Sequence, residues 1–255
     1  SLPKTLRARL DDAAPPALAP VAESTDATGD TVKWLFDLEG GARVETVLMH
    51  YPDRTTVCVS SQAGCAMGCG FCATGQAGFQ RQLTTGEIVE QVVRAARRSR
   101  EGGRRLGNVV FMGMGEPLAN LDYVWPAVER LHGDVGLSAR HLTISTVGMV
   151  PGIRRLAASD LPVNLAVSLH AANDELRDEL VPINRRYPLD VLAEVCSEYI
   201  EVTGPPEASR WPGGVQARGC RTSCSTSWTS SARSSTSTGA CARPPTRMVA
   251  RSSSS

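Results

Sequence analysis

The sequence predicts an α/β fold of parallel βα units, closed as a barrel or left as an open sheet. Three observations predict it. Short β-prone runs alternate with helical stretches four times between Thr55 and Thr203, the pattern of strands joined by helical crossovers. Hydrophobic residues make up 42% of the 255, enough for a sizeable core. The apolar periodicity then stops abruptly at Gly204.

Taken in order, residues 4–10 read as the end of a basic helix and "AAPPALAP" as a linker. In "VKWLFDLEGGARVETVLMHY" two β-prone runs flank Gly40-Gly41, which reads as a hairpin. "TTVCVS" is a short β-branched strand that leads into a cysteine loop. Thr84 with Glu87 makes a capping box, and Ile88, Val89, Val92, Val93 and Ala96 keep helical spacing to about Arg100. "NVVFMG" is a strand, and 121–132 suits a helix. "HLTIST" is a strand, followed after Pro151 by the short helix "GIRRLAAS". "VNLAVSLH" is the last strand, with "NDELRDELV" behind an Asn cap and "LDVLAEVCSEYIEVT" as amphipathic helices. The expected division is an accessory remnant and linker over 1–30, a core over 31–204, and a tail over 205–255.

The tail holds no Leu, Ile, Phe or Tyr and one acidic residue, Glu207. A segment so rich in Ser, Arg, Pro, Thr and Gly buries too little apolar surface to offset an ordering cost of about 1–2 kcal/mol per residue. It is expected to be disordered. A shift of reading frame in a GC-rich gene and a natural linker both account for the break.

The net charge of +1 neither demands nor excludes a nucleic-acid partner. No apolar run approaches the roughly 18 residues of a membrane span. The opening "SLPKTLRARL" lacks an apolar leader and a Met, so the chain is expected to begin inside a longer protein and to be cytoplasmic, with no membrane partner. Of eight cysteines, four (Cys58, Cys65, Cys69 and Cys72) fall within fifteen residues. In a reducing compartment such clustering suits a metal site better than a disulfide framework.

Cys65, Cys69 and Cys72 stand at C-x-x-x-C-x-x-C spacing in "GCAMGCGFCATG". Three thiolates on a tight loop can bind three irons of a 4Fe–4S cluster and leave the fourth iron open to another ligand. Gly64, Ala66, Gly68 and Gly70 let the backbone wrap it. The competing reading is a zinc knuckle with Cys58 as fourth ligand, but structural zinc usually takes two cysteine pairs well apart in sequence.

This loop resembles that of the radical S-adenosylmethionine superfamily, in which it follows the first strand of a partial (β/α) barrel. The stretches "VETVLMHY", "CVSSQAGCAMGCGFCATG", "NVVFMGMGEPLAN", "LTISTVGMVPGI" and "LAVSLHAANDELRDELVPINRRYPL" narrow the resemblance, over about residues 1–203, to the RlmN/Cfr family of RNA adenine methyltransferases. It implies a partial barrel, incomplete at its C-terminal end, with an N-terminal β-hairpin extension. Such a barrel would leave edges and core faces uncovered and dissolve poorly. It also implies a 4Fe–4S cluster, S-adenosylmethionine as cofactor, an electron donor such as a flavodoxin, and a monomer. The RNA partners are ribosomal RNA and some transfer RNA. The RlmN branch implies methylation at adenine C2; a Cfr-like chain would act at C8, and a non-catalytic iron–sulfur or zinc module is the third reading.

Residue by residue, the resemblance makes Cys65, Cys69 and Cys72 the cluster ligands. It makes Gly115, Glu116, Ser145, Ser168, Leu169 and His170 cofactor contacts. A Gly-rich turn needed only for chain reversal, or a surface His at a strand end, would be the ordinary explanations. Ends of parallel strands are, however, where barrel sites form. Glu45 matches a Glu that removes a proton from the intermediate, although an outward Glu on a hairpin is the commoner case. Cys58 matches a cysteine that forms a disulfide with a methylated carrier cysteine and so releases product; a small buried hydrophobe is the plainer use. The basic run "RAARRSREGGRR" is expected to be a solvated face rather than an RNA contact. The family's carrier sits in a C-terminal motif that nothing after Gly204 matches. Cys220, Cys224 and Cys241 have no fitting neighbours, so radical generation without methyl transfer is expected of this chain.

Overall fold

The computed structural model describes residues 3–13 and 15–203. They fall in the compact unit Ser1–Pro212; the second, Gly213–Ser255, lies outside the described residues, as do the expected tail and Cys220, Cys224 and Cys241.

Helix α1 (Lys4–Ala13) comes first, followed by strands β1 (Ala19–Thr25), β2 (Thr31–Asp37), β3 (Arg43–His50) and β4 (Thr55–Cys58). The cysteine loop lies within a small hairpin of β5 (Gln62–Gly64) and β6 (Phe79–Gln82), with the short helix α2 (Ala73–Gln76) between them. Then come α3 (Thr85–Glu101), β7 (Asn108–Phe111), α4 (Leu121–Gly133), β8 (Leu142–Thr146), α5 (Val150–Ala157), β9 (Asn164–Val167), α6 (Asp174–Leu180) and α7 (Leu189–Thr203).

Among the described residues seven strands form one sheet, ordered β1-β2-β3-β4-β7-β8-β9. The pairs β4·β7, β7·β8 and β8·β9 are parallel, as the strand–helix alternation requires. The first four strands pair antiparallel, and the expected hairpin turns at Gly40 and Gly41, both at positive φ.

Strand β1, the β5·β6 hairpin and the one-turn helix α2 within it escaped the sequence. Strand β1, read as linker and left without regular structure, pairs with β2 and is exposed along its whole length. Its strand geometry comes from the neighbour's free edge rather than from buried alternation. The β5·β6 hairpin is too short to show a period of two.

The helix-facing side of the sheet is the core. Val57, Val109, Phe111, Leu142 and Ile144 pack there with Ile88, Val92 and Ala95 of α3, all at 0% exposure. Burying such side chains contributes about 1.5–3 kcal/mol each. The capping box fixes the start of α3: Thr84 Oγ1 accepts from Glu87 N, and Glu87 Oε2 accepts from Thr84 N at 2.8 Å. Asn173 caps α6 by accepting from Leu176 N at 2.9 Å.

Strand alternation puts a different set on the opposite face. Cys58 aligns with Val110 and Val47, Val110 with Thr143, and Ser145 with Ala166. Glu45, Cys58, Ser145 and, one step past β9, Ser168 therefore share the face turned away from the helices. This face is less covered: Glu45, Val47, Thr143, Ser145 and all of β9 are half-buried.

Candidate functional site

The loops that leave β4, β7, β8 and β9 meet at the C-terminal end of the parallel strands. Each contributes residues marked out by the sequence.

The cysteine loop is pinned at its base. Gly64 has φ +75°, and a Cβ there would lie 1.9 Å from Gly78 O. That space is taken by the return strand, whose Gly78 O accepts from Cys65 N at 3.1 Å. Farther round, Cys72 N donates to Cys69 O at 3.1 Å and Gly70 N donates to Leu180 O at 3.2 Å, which seats the loop on the end of α6.

Cys65 and Cys69 sense the charges around them on the loop. Burial pushes the Cys65 thiol up, and Glu116 and Cys72 push it further. Burial also raises Cys69, with Cys65, Cys72 and Glu116 adding to the effect. Negative charge on this loop thus calls for a cationic partner. Among the described residues no three His, Cys, Asp or Glu side chains gather as a single metal ion requires.

Glu116, 2% exposed, comes from the loop after β7. Its N–H donates to Gln62 Oε1 at 2.8 Å, and its carboxylate accepts from Leu118 N at 3.1 Å and from Val147 N at 2.9 Å. Burial pushes its pKa up, opposed by the amides of Val147 and Leu118 and the Thr146 hydroxyl. Gly115 has φ +99°, and a Cβ there would lie 2.5 Å from Gln62 Cβ, so the turn admits only glycine.

Ser145 Oγ donates to Phe111 O at 2.6 Å, bridging β8 to β7. Ser168 N donates to Thr146 O at 2.9 Å. His170 takes the uncommon φ of +62° and packs its ring on Phe71 of the cysteine loop, centroids 4.4 Å apart. Burial, with Arg177 next, lowers its pKa. Leu169 O accepts from Arg177 Nε at 3.0 Å.

Glu45 and Cys58 are placed by the sheet. Glu45 accepts from Lys33 Nζ at 3.0 Å with both side chains about half exposed, and its own carbonyl accepts from Ser60 Oγ at 2.6 Å. Cys58, at the end of β4, is pushed up to about 11 by burial, against an opposing backbone hydrogen bond with Met112. The five described cysteines, Cys58, Cys65, Cys69, Cys72 and Cys196, are all free thiols. The disulfide implied for Cys58 is therefore not present among them, because none of the others is bonded to it.

The structure brings together the cysteine loop, Glu116 and His170, and sets Glu45, Cys58, Ser145 and Ser168 on one face. Sequence reading missed Gln62, Phe71 and Arg177. Gln62 is 1% exposed, bonds Glu116 N, and donates to Gln82 Oε1 at 2.8 Å. A polar residue between two serines carries no signal of such burial. Arg177, in "DELRDEL", reads as one more charge on a polar helix.

Among the described residues no helix is long and apolar enough to cross a membrane. The model of the Radical SAM superfamily matches residues 59–206. A probable dual-specificity RNA methyltransferase RlmN of Parafrankia sp. is 56% identical over 218 residues, 80% of this chain and 57% of its own. Its counterpart from Frankia alni is 57% identical over 213 residues, 80% of this chain and 51% of its own. The chain thus spans about half the length of the curated relatives it matches. The crystal structure of a radical SAM methyltransferase from Sphaerobacter thermophilus superposes with a TM-score of 0.76 at 55% identity, covering 80% of this chain and 60% of that one. On this evidence of sequence and fold, the chain belongs to the radical SAM superfamily, and the relatives it is most similar to here carry the name RlmN.

Proposed function

We propose that this chain carries the front half of the active site of an RNA adenine-C2 methyltransferase acting on ribosomal and some transfer RNA. Cys65, Cys69 and Cys72 would hold a 4Fe–4S cluster. The observation that carries the reading is the burial of Glu116 where Cys65 and Cys69 both sense its charge. A carboxylate there suits the ammonium of S-adenosylmethionine, whose cleavage by the reduced cluster would supply a 5′-deoxyadenosyl radical.

The remaining roles are those the family resemblance implies, set on the residues described above. Gly115 lets the backbone approach the cofactor. Ser145, Ser168, Leu169 and His170 line its flank, with Phe71 beneath the His170 ring. Glu45, on the open face of β3, takes the proton from the methylated ring. In the whole enzyme Cys58, on the same face of β4, would attack the carrier cysteine's sulfur: the S–S bond forms as the bond from that sulfur to the transferred carbon breaks, and the electron pair leaves with the product, where a proton completes the methyl group.

The division into an accessory remnant over 1–30, a core over 31–204 and a tail beyond belongs to this proposal. So do a cytoplasmic site, a monomeric state and a flavodoxin-like electron donor.

The test is one anaerobic reaction of the reconstituted chain with reductant, S-adenosylmethionine and ribosomal RNA, analysed by mass spectrometry. 5′-Deoxyadenosine is expected. 2-Methyladenosine is not expected, because no cysteine after Gly204 has the carrier's sequence around it, and a misplacement of about 1 Å already costs on the order of a hundredfold in rate. Absence of 5′-deoxyadenosine from iron-loaded protein would overturn the assignment.

A further inference from the structure

Arg177 is the largest of the fully buried side chains among the described residues, at 0% exposed. Its neighbours are mostly neutral. Nε donates to Leu169 O at 3.0 Å, Nη2 to Val147 O at 2.5 Å, and Nη1 to Asn184 Oδ1 at 2.6 Å. No carboxylate oxygen of a described residue forms a salt bridge with it. The nearest acids are one step removed: Asn184 Nδ2 donates to Asp178 Oδ1 at 2.7 Å and to Asp174 Oδ1 at 2.9 Å. A buried cation without a directly bonded anion is costly unless some other negative charge lies close.

That charge is available on the cysteine loop. α6, which carries Arg177, ends at Leu180, whose carbonyl accepts from Gly70 N. A Cβ on Gly70 would lie 3.8 Å from Glu179 O, and one on Gly68 4.0 Å from Pro182 Cγ. The loop between Cys65 and Cys72 therefore rests on the segment that holds the guanidinium. Cys69 is among the charges that Arg177 senses, beside Asp174 and Asp178. Its other two bonds reach the loop after β8 and the backbone of Leu169, next to Ser168 and His170.

We propose that Arg177 is a positioning residue whose buried positive charge favours the reduced state of a cluster held by Cys65, Cys69 and Cys72. This rests on the proposed cluster-binding function. Reduction adds one electron, taken from a low-potential one-electron donor, with no proton transferred. The added negative charge is offset by a cation fixed in a medium of low dielectric, where such interactions are strong.

The experiment is a potentiometric titration of the anaerobically reconstituted full chain, followed by electron paramagnetic resonance. Iron and sulfide content of the unmutated protein comes first: a chain that binds no cluster sinks the functional reading, and this inference with it. Given a loaded cluster, Arg177→Gln is expected to lower the reduced-to-oxidised ratio at fixed potential about tenfold, which is about 59 mV for one electron. Arg177→Lys keeps the charge and is expected to stay within about threefold of the parent. Equal losses in both variants would show that hydrogen-bond geometry rather than charge matters, and no shift in the Gln variant would show no influence; either overturns the proposal. Should the Gln variant fail to load, Asp178→Asn decides. Removing the acid that offsets Arg177 is expected to raise the reduced fraction, and an unchanged or lower fraction overturns the proposal.

Discussion

The carboxylate of Glu116 accepts from the backbone amide of Val147 at 2.9 Å, joining the loop after β7 to the loop after β8. With Leu118 N on the other oxygen, the side chain is fixed before any ligand arrives. Such preorganisation lowers the ordering cost of binding.

Glu116→Ala is therefore expected to weaken S-adenosylmethionine binding by about tenfold or more, since a hydrogen bond to a charged group contributes about 1.5–3 kcal/mol. Glu207→Ala, outside the described residues, serves as control and should leave binding unchanged. Equilibrium dialysis on iron-loaded protein checks both. Equal effects would remove Glu116 from the cofactor site.

A second expectation concerns the cysteine loop. Cys69→Ala should abolish cluster loading, read as iron and labile sulfide per chain. Gly64→Ala should do nearly as much without touching a ligand, because its Cβ would sit 1.9 Å from Gly78 O at a φ of +75°. The Ala variant must open the β5·β6 base and let Cys65 drift. Gly70→Ala, whose Cβ would meet nothing nearer than 3.8 Å, should load normally. Full loading of the Gly64 variant would show that the hairpin base does not position the loop.

How much of this was legible beforehand differs by residue. Cys65, Cys69 and Cys72 announce themselves by spacing, and Thr84 with Glu87 by the i, i+3 capping pattern, because both are local. The parallel order of β4, β7, β8 and β9 was legible because alternation of strand and helix leaves few alternatives. Arg177 and Gln62 were not legible. Their burial is set by partners far along the chain, Val147 and Glu116, and no local pattern reports that. Strand β1 was hidden for a related reason: a fully exposed edge strand has no apolar period. The zinc reading, weighed against the cluster on spacing alone, loses ground through the match to the radical SAM superfamily and not through any local geometry.

Glu87 gives a stability prediction with a definite pH sign. It is 4% exposed and receives Arg81 Nη2 on Oε1 at 2.6 Å and Nη1 on Oε2 at 2.9 Å. Burial pushes its pKa up, but Arg81 and the Thr84 amide outweigh this and hold it below the ordinary value of 4.5. A depressed carboxylate contributes stability above its unfolded pKa and loses it as pH falls through the folded one. Glu87→Gln should thus cost about 1–3 kcal/mol near neutral pH. The difference in melting temperature from the parent should shrink as pH drops below about 4.5. A gap that holds constant or widens in acid would contradict the ion-pair account.

The last expectation tests the chemistry assigned to Cys58. Burial pushes its thiol from 9.0 up to about 11, and the opposing Met112 backbone bond does not bring it back. At pH 8 only about one Cys58 in a thousand is then a thiolate, against about one in ten for a thiol left at 9.0, and the thiolate is the nucleophile. In protein without cluster or RNA, Cys58 should therefore react with iodoacetamide about a hundredfold more slowly than a small free thiol, somewhat less after allowing for the greater nucleophilicity of the more basic sulfur. The rate should climb nearly tenfold per pH unit from 8 to 10 without a plateau. Mass-spectrometric peptide mapping follows it directly. Such a profile fits a cysteine kept inert until a partner is delivered to its face, where Glu45 stands two residues along β3 from Val47, the residue aligned with Cys58. Fast alkylation that levels off below pH 9 would mean an already activated thiol, and the resolving role would then need a different account of how Cys58 avoids premature oxidation.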